Sequence, residues 1–227
     1  HSRSVMRRTR APFFISISNR GRVLGADVES FTFKENGATR KELLVTNSNI
    51  GQVENIVIKG VDIEEVYGGS SFRGGRWKAY DGSQNKATPI IAGFKLPDTE
   101  NVEGGLTFRL PNGLHTGYIE NVQFHDVNLL VKGGHPVEDA EACPPEIGVG
   151  RYNVGDLKTQ PSFGFWARHV KGFVLNGCKI NAEDKDGRYA VLLDDVIGAE
   201  VTDLQVTKGI TDKENVKAVR SQNVVVK

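Results

Sequence analysis

Six segments of this 227-residue chain repeat one pattern. They read "ADVESFTFKEN", "GQVENIVIKGVDI", "GYIENVQFHDVNL", "RHVKGFVLNGCKI", "DDVIGAEVTDLQV" and "RSQNVVVK". Each places Val or Ile, then two mostly polar or small residues, then an alternating apolar triplet. Aligning the first triplet position sets Phe31, Ile56, Val122, Phe173, Ala199 and Val224 in one column. The steps between them are 25, 66, 51, 26 and 25 residues. A step of 51 reads as two periods of about 25, and 66 as two periods plus an insertion of about 15.

A fixed period of this size marks a solenoid or an array. Period-2 alternation rich in Val, Ile and Phe makes the repeating unit a strand unit. Leucine-rich and Trp-Asp signatures are absent, which disfavours a horseshoe or a propeller. The fold expected is all-β: a right-handed, single-stranded parallel β-helix with rungs of about 25 residues, each burying one face of its strands in a continuous core. Two Gly- and Pro-rich stretches, about 67–89 and 133–161, break the pattern and read as long loop insertions. Residues 1–227 are read as the C-terminal part of one such domain. The opening runs into "FFISIS" without a cap, so preceding rungs are expected before His1 or on another chain.

Composition narrows the partners. With 29 Lys plus Arg against 28 Asp plus Glu, the formal net charge is +1, giving no electrostatic case for nucleic acid or a membrane surface. No apolar run approaches the length of a membrane span. Cys143 and Cys178 are the two cysteines; they leave open one disulfide or two free thiols. The five histidines show no metal-ligand spacing, so neither a metal nor another cofactor is expected.

Four stretches carry a resemblance. "TRAPFFISISNRGR", "VENIVIKGVDIEEV", "FGFWARHVKGFVLNGCKI" and "GRYAVLLDDVIGAEVTDLQV" occur in the same order as in bacterial polygalacturonase-like enzymes of glycoside hydrolase family 28 and are similar to their C-terminal half. The resemblance implies a secreted or periplasmic glycosidase that hydrolyses a pectin-like plant or algal polysaccharide with inversion. A polysaccharide lyase on the same scaffold and a non-catalytic carbohydrate-binding β-helix are the alternatives, since a fold does not fix a chemistry. The family's Asn-Thr-Asp and Gly-His-Gly motifs do not occur here. Its acid and base carboxylates are therefore expected outside the chain. At the family's Arg-Ile-Lys position this sequence has Phe14 and Ser16, losing the basic pair that would meet a uronate carboxylate.

The substrate-binding candidates are Ser16, Arg20 and Arg22 near that position, His115 in "PNGLHTG", and Trp77 beside Arg73 and Arg76. Asp194-Asp195 lies in the "LLDDV" ending and reads as a turn and capping pair. Arg168-His169 reads as the structural corner between two strands, and His125, after Phe124 in an alternating run, as a residue facing away from the core.

Overall fold

Alternating β-branched and aromatic residues favour extended chain, and most of the described chain adopts it. The computed structural model describes residues 3–7, 11–17, 28–35, 38–45, 52–66, 88–95, 102–103, 116–146, 154–207 and 214–227. In chain order the strands are β1 (Ser4–Arg7), β2 (Phe14–Ser16), β3 (Val28–Glu35), β4 (Ala38–Val45), β5 (Glu54–Val66), β6 (Ile90–Ala92), β7 (Phe94–Lys95) and β8 (Val102–Glu103). They continue with β9 (Thr116–Gly117), β10 (Ile119–Gly133), β11 (Ser162–Asn176), β12 (Lys179–Asp184), β13 (Tyr189–Thr202), β14 (Gln205–Thr207), β15 (Val216–Val219) and β16 (Gln222–Val226). Eleven of them form one parallel sheet.

Its register reproduces the sequence column. Ile56 pairs with Val122, Val122 with Phe173, Phe173 with Ala199, and Ala199 with Val224. Val122, Phe173 and Ala199 are buried in a core that also takes Phe124, Leu175 and Val201 from the next inward position. A parallel row of Ile15, Ile91, Ala167, Leu193 and Ala218 lines another stretch of the sheet.

The rows bend together. Immediately before the aligned column stand Asn55, Asn121, Gly172, Gly198 and Asn223, all with φ between 53° and 75°. Four residues after it stand Gly60, Asp126, Gly177 and Asp203, and four before it His169, Asp195 and Arg220, again all at positive φ. Left-handed backbone costs an ordinary L-residue roughly 1–2 kcal/mol, and Gly, Asn and Asp visit it most readily. That explains the polar and glycine positions between the apolar bursts. The asparagines also link rows through their side chains, with Asn121 Nδ2 donating to Asn55 Oδ1 at 2.8 Å.

Three expectations need correction. The segment around Phe31 is not a row of the parallel sheet: β3 pairs antiparallel with β4 and β8. Asn36-Gly37, the strongest short hairpin dipeptide, lies between β3 and β4 in the sequence. The 66- and 51-residue steps hold no extra row, because β5, β10 and β11 are direct neighbours. Each step is one row with a long insertion. The 133–161 segment is also not a loop thrown outward. It contains two 3-10 helices, Val137–Glu141 and Val154–Leu157, and Leu157 is fully buried. The 67–89 insertion lies outside the described residues except Thr88 and Pro89. Cys143 and Cys178 are free thiols.

The bend columns yield a substitution test. A Cβ built on Gly198, φ +75°, meets nothing within 4 Å, so only its backbone conformation opposes a side chain. Gly198→Val should lower stability in urea by about 1–2 kcal/mol, and Gly198→Asn by a few tenths. Equal effects of the two would remove the bend column as their cause.

Candidate functional site

Along β11 the side chains alternate, so Ala167 faces the core while Trp166 and Arg168 face outward. Outward residues of a sheet normally meet water, yet these two are 0% and 2% exposed. The inserted 133–161 segment covers them. Trp166 packs with Ile90, Ala92, Leu157 and Leu192 in a second small apolar cluster, with Phe14 at its margin. Arg168 Nη1 donates to the Pro144 carbonyl and Nη2 to the Pro145 carbonyl, each at 2.7 Å. Irregular backbone laid on a sheet needs donors for its carbonyls, and one guanidinium supplies two. The same guanidinium sits 4.7 Å from the Trp166 ring centroid.

His169 follows at positive φ, so the chain turns and its ring meets other groups. Nδ1 is 2.6 Å from Asp195 Oδ2, and Nε2 is 3.1 Å from both oxygens of Glu146. The Tyr118 hydroxyl donates to both Asp195 oxygens, at 3.1 and 3.2 Å, and its ring meets His169 edge-on. Asp194, next to Asp195, accepts Arg220 Nη2 on both its oxygens, at 2.6 and 2.7 Å, and Arg220 Nε on Oδ1 at 2.9 Å. Burial pushes the Glu146 carboxyl up, but the His169 hydrogen bond and the charges of Arg168, His169 and Lys95 outweigh it and hold it below its usual range. Burial, with the neighbouring Asp195 carboxylate, pushes the Tyr118 hydroxyl up to about 12.

A second polar node anchors the two ends of the insertion. Arg188, 3% exposed, donates from Nε and Nη2 to the fully buried Asp186, and from Nη1 to the Gln160 carbonyl. Gly187 N donates to the His135 carbonyl at 2.8 Å. A Cβ at Gly187 would lie 2.5 Å from backbone atoms of Pro136 and Val137, so this contact requires glycine. His135 Nδ1 is 2.8 Å from Asp139 Oδ2.

Of the residues singled out from sequence, Ser16 is half-buried in β2 and shares a row with Ala92 and Arg168, two strands away from the latter. Arg20, Arg22, Trp77 and His115 lie outside the described residues. Arg168-His169 and Asp194-Asp195 do occupy corners, and the corners are joined by ion pairs across rows. Tyr118 and Glu146 were not singled out. Glu146 reaches His169 across a separation of 23 residues that carries no periodic signal connecting them. The arrangement holds a carboxylate against Arg168 and His169 and ties His169 to Asp195 on its other side. Searches of family models, curated proteins and solved structures return no match to this chain.

The buried histidine gives a pH prediction. Burial first, then the Arg188 charge, lowers His135 from 6.5 to about 4. Between those values the unfolded chain binds the proton and the folded chain does not, so stability falls as pH drops through that window. The loss from pH 7 to pH 5 should be on the order of 2 kcal/mol in urea unfolding, and His135→Gln should flatten that slope. An unchanged slope in the variant would remove His135 as its source.

Proposed function

We propose that the sheet is the wall of a right-handed parallel β-helix, and that the protein is a polygalacturonase-like glycosidase of a pectin-like cell-wall polysaccharide, secreted or periplasmic. The observation that carries the reading is the in-register stack of Ile56, Val122, Phe173, Ala199 and Val224 with three shared columns of bends. Rows that all turn at the same positions are what a coil of stacked rungs requires. The stretches with the polygalacturonase-like resemblance are largely these rows.

In this reading Ser16, Arg20, Arg22, His115 and Trp77 line one side of the substrate cleft. Inverting hydrolysis needs one carboxylic acid to protonate the leaving oxygen and one carboxylate to activate water, about 6.5–9.5 Å apart. Asp194 is held by Arg220, and Asp195 by His169 and Tyr118. In this reading the acid and base are residues other than this pair. That saturation also favours the second reading, a carbohydrate-binding β-helix without catalysis.

Incubation of the protein with polygalacturonate separates the readings. Hydrolysis releases reducing ends without the ultraviolet absorbance of an unsaturated uronate, whereas a lyase produces that absorbance. Binding without either product supports the non-catalytic module. No product and no retention on any pectic or algal polysaccharide would sink the carbohydrate assignment.

A further inference from the structure

Glu146 is seated in an unusually basic place for a residue on an inserted segment. His169 Nε2 touches both its oxygens at 3.1 Å, and Arg168 Nη1 lies 3.6 Å from Oε1. Lys95 contributes positive charge to the same carboxylate, and that carboxylate acts in turn on Arg220. Behind the seat stands the Trp166 ring with the Arg168 guanidinium over it. Two donors there are unspent: Arg168 Nε and Trp166 Nε1 are buried and bond to nothing. A buried donor left without an acceptor costs about 1–3 kcal/mol. The Pro144–Glu146 stretch thus supplies two carbonyls and a carboxylate to a site offering more donors than it fills.

We propose that Arg168, His169 and Trp166 form a carboxylate-binding seat in which Glu146 is a resident stand-in, displaced by the carboxylate of an acidic saccharide. The choice of a saccharide rests on the polysaccharide reading above; the seat itself rests on the contacts. With Nη1 and Nη2 holding the Pro144 and Pro145 carbonyls, Arg168 has its Nε–H unspent, and Trp166 its indole N–H. Among the described residues, Asp195 is committed to His169 Nδ1 and Tyr118, and Asp194 to Arg220. Removing the Glu146 carboxylate takes away the acceptor that His169 Nε2 and Arg168 now face. A tethered carboxylate competes at an effective concentration of millimolar order, so the intact protein should bind the free ligand weakly.

The test compares the full chain with E146A and with E146A/R168A. Thermal shift and calorimetric titration are run with galacturonate, neutral galactose and acetate. E146A should bind galacturonate roughly tenfold or more tightly than the wild type, by release of that tethered competitor. Galactose should have no effect, and the double variant should lose the gain. E146Q, which keeps the shape, serves if E146A does not fold. Folded E146A or E146Q with no gain for either galacturonate or acetate would overturn the seat. A gain with acetate alone would keep the seat and overturn the saccharide. A gain with galacturonate in a protein that releases no sugar would keep the seat while the hydrolase reading fails.

Discussion

Each row of the parallel sheet must bend where its neighbours bend, because ladder hydrogen bonds tie them along their length. Backbone at a shared bend takes positive φ, and that requirement selects the residues there. The column before Phe173 holds Asn or Gly in every row from Asn55 to Asn223. Between bends, the inward positions are free to carry Val, Ile, Leu and Phe, and these become the core. The apolar column and the bend columns are two readings of one geometric constraint.

The insertions follow from the same constraint. A row tolerates extra chain where the sheet is interrupted, provided that the added backbone finds donors and acceptors. After β10 the chain enters the 133–161 insertion and returns in register at β11, against β10 itself. Its polar backbone is received by two arginines, Arg168 of β11 at Pro144 and Pro145, and Arg188, just before β13, at Gln160. Both guanidinium groups are nearly buried and both have carboxylate neighbours, Glu146 and Asp186. A buried charge is tolerated only when paired and hydrogen-bonded, so these residues bind the insertion to the sheet and concentrate charge there.

Much of the architecture was legible in the chain because it is periodic. The column from Ile56 to Val224 emerged from alternation alone, and the sheet pairs it residue for residue. What failed was local. The Phe31 segment alternates like the others, yet alternation states which face is apolar, not which strand lies alongside. The 51-residue step matched twice the period only because an insertion happened to have a similar length. The site was less legible. Arg168-His169 reads as a corner, and it is one. Its contacts with Glu146, Pro144 and Pro145 depend on how irregular chain folds back, and side-chain spacing does not record that. Tyr118 meets Asp195 across two rows, a relation visible only once the register is known.

The central claim is that β5, β10, β11, β13 and β16 are consecutive rows. Val57 and Val225 are 60% and 44% exposed and stand in one ladder line, through Gln123, Val174 and Glu200. Four steps of about 4.8 Å separate their backbones by about 19 Å. Nitroxide labels at these two positions, with Cys143 and Cys178 replaced by Ser and Ala, give that distance by pulsed electron spin resonance. A single narrow distribution near this value, widened by the label tethers, is predicted. A distribution centred near 29 Å, the length of six steps, would mean that each long step hides another row and would contradict the account.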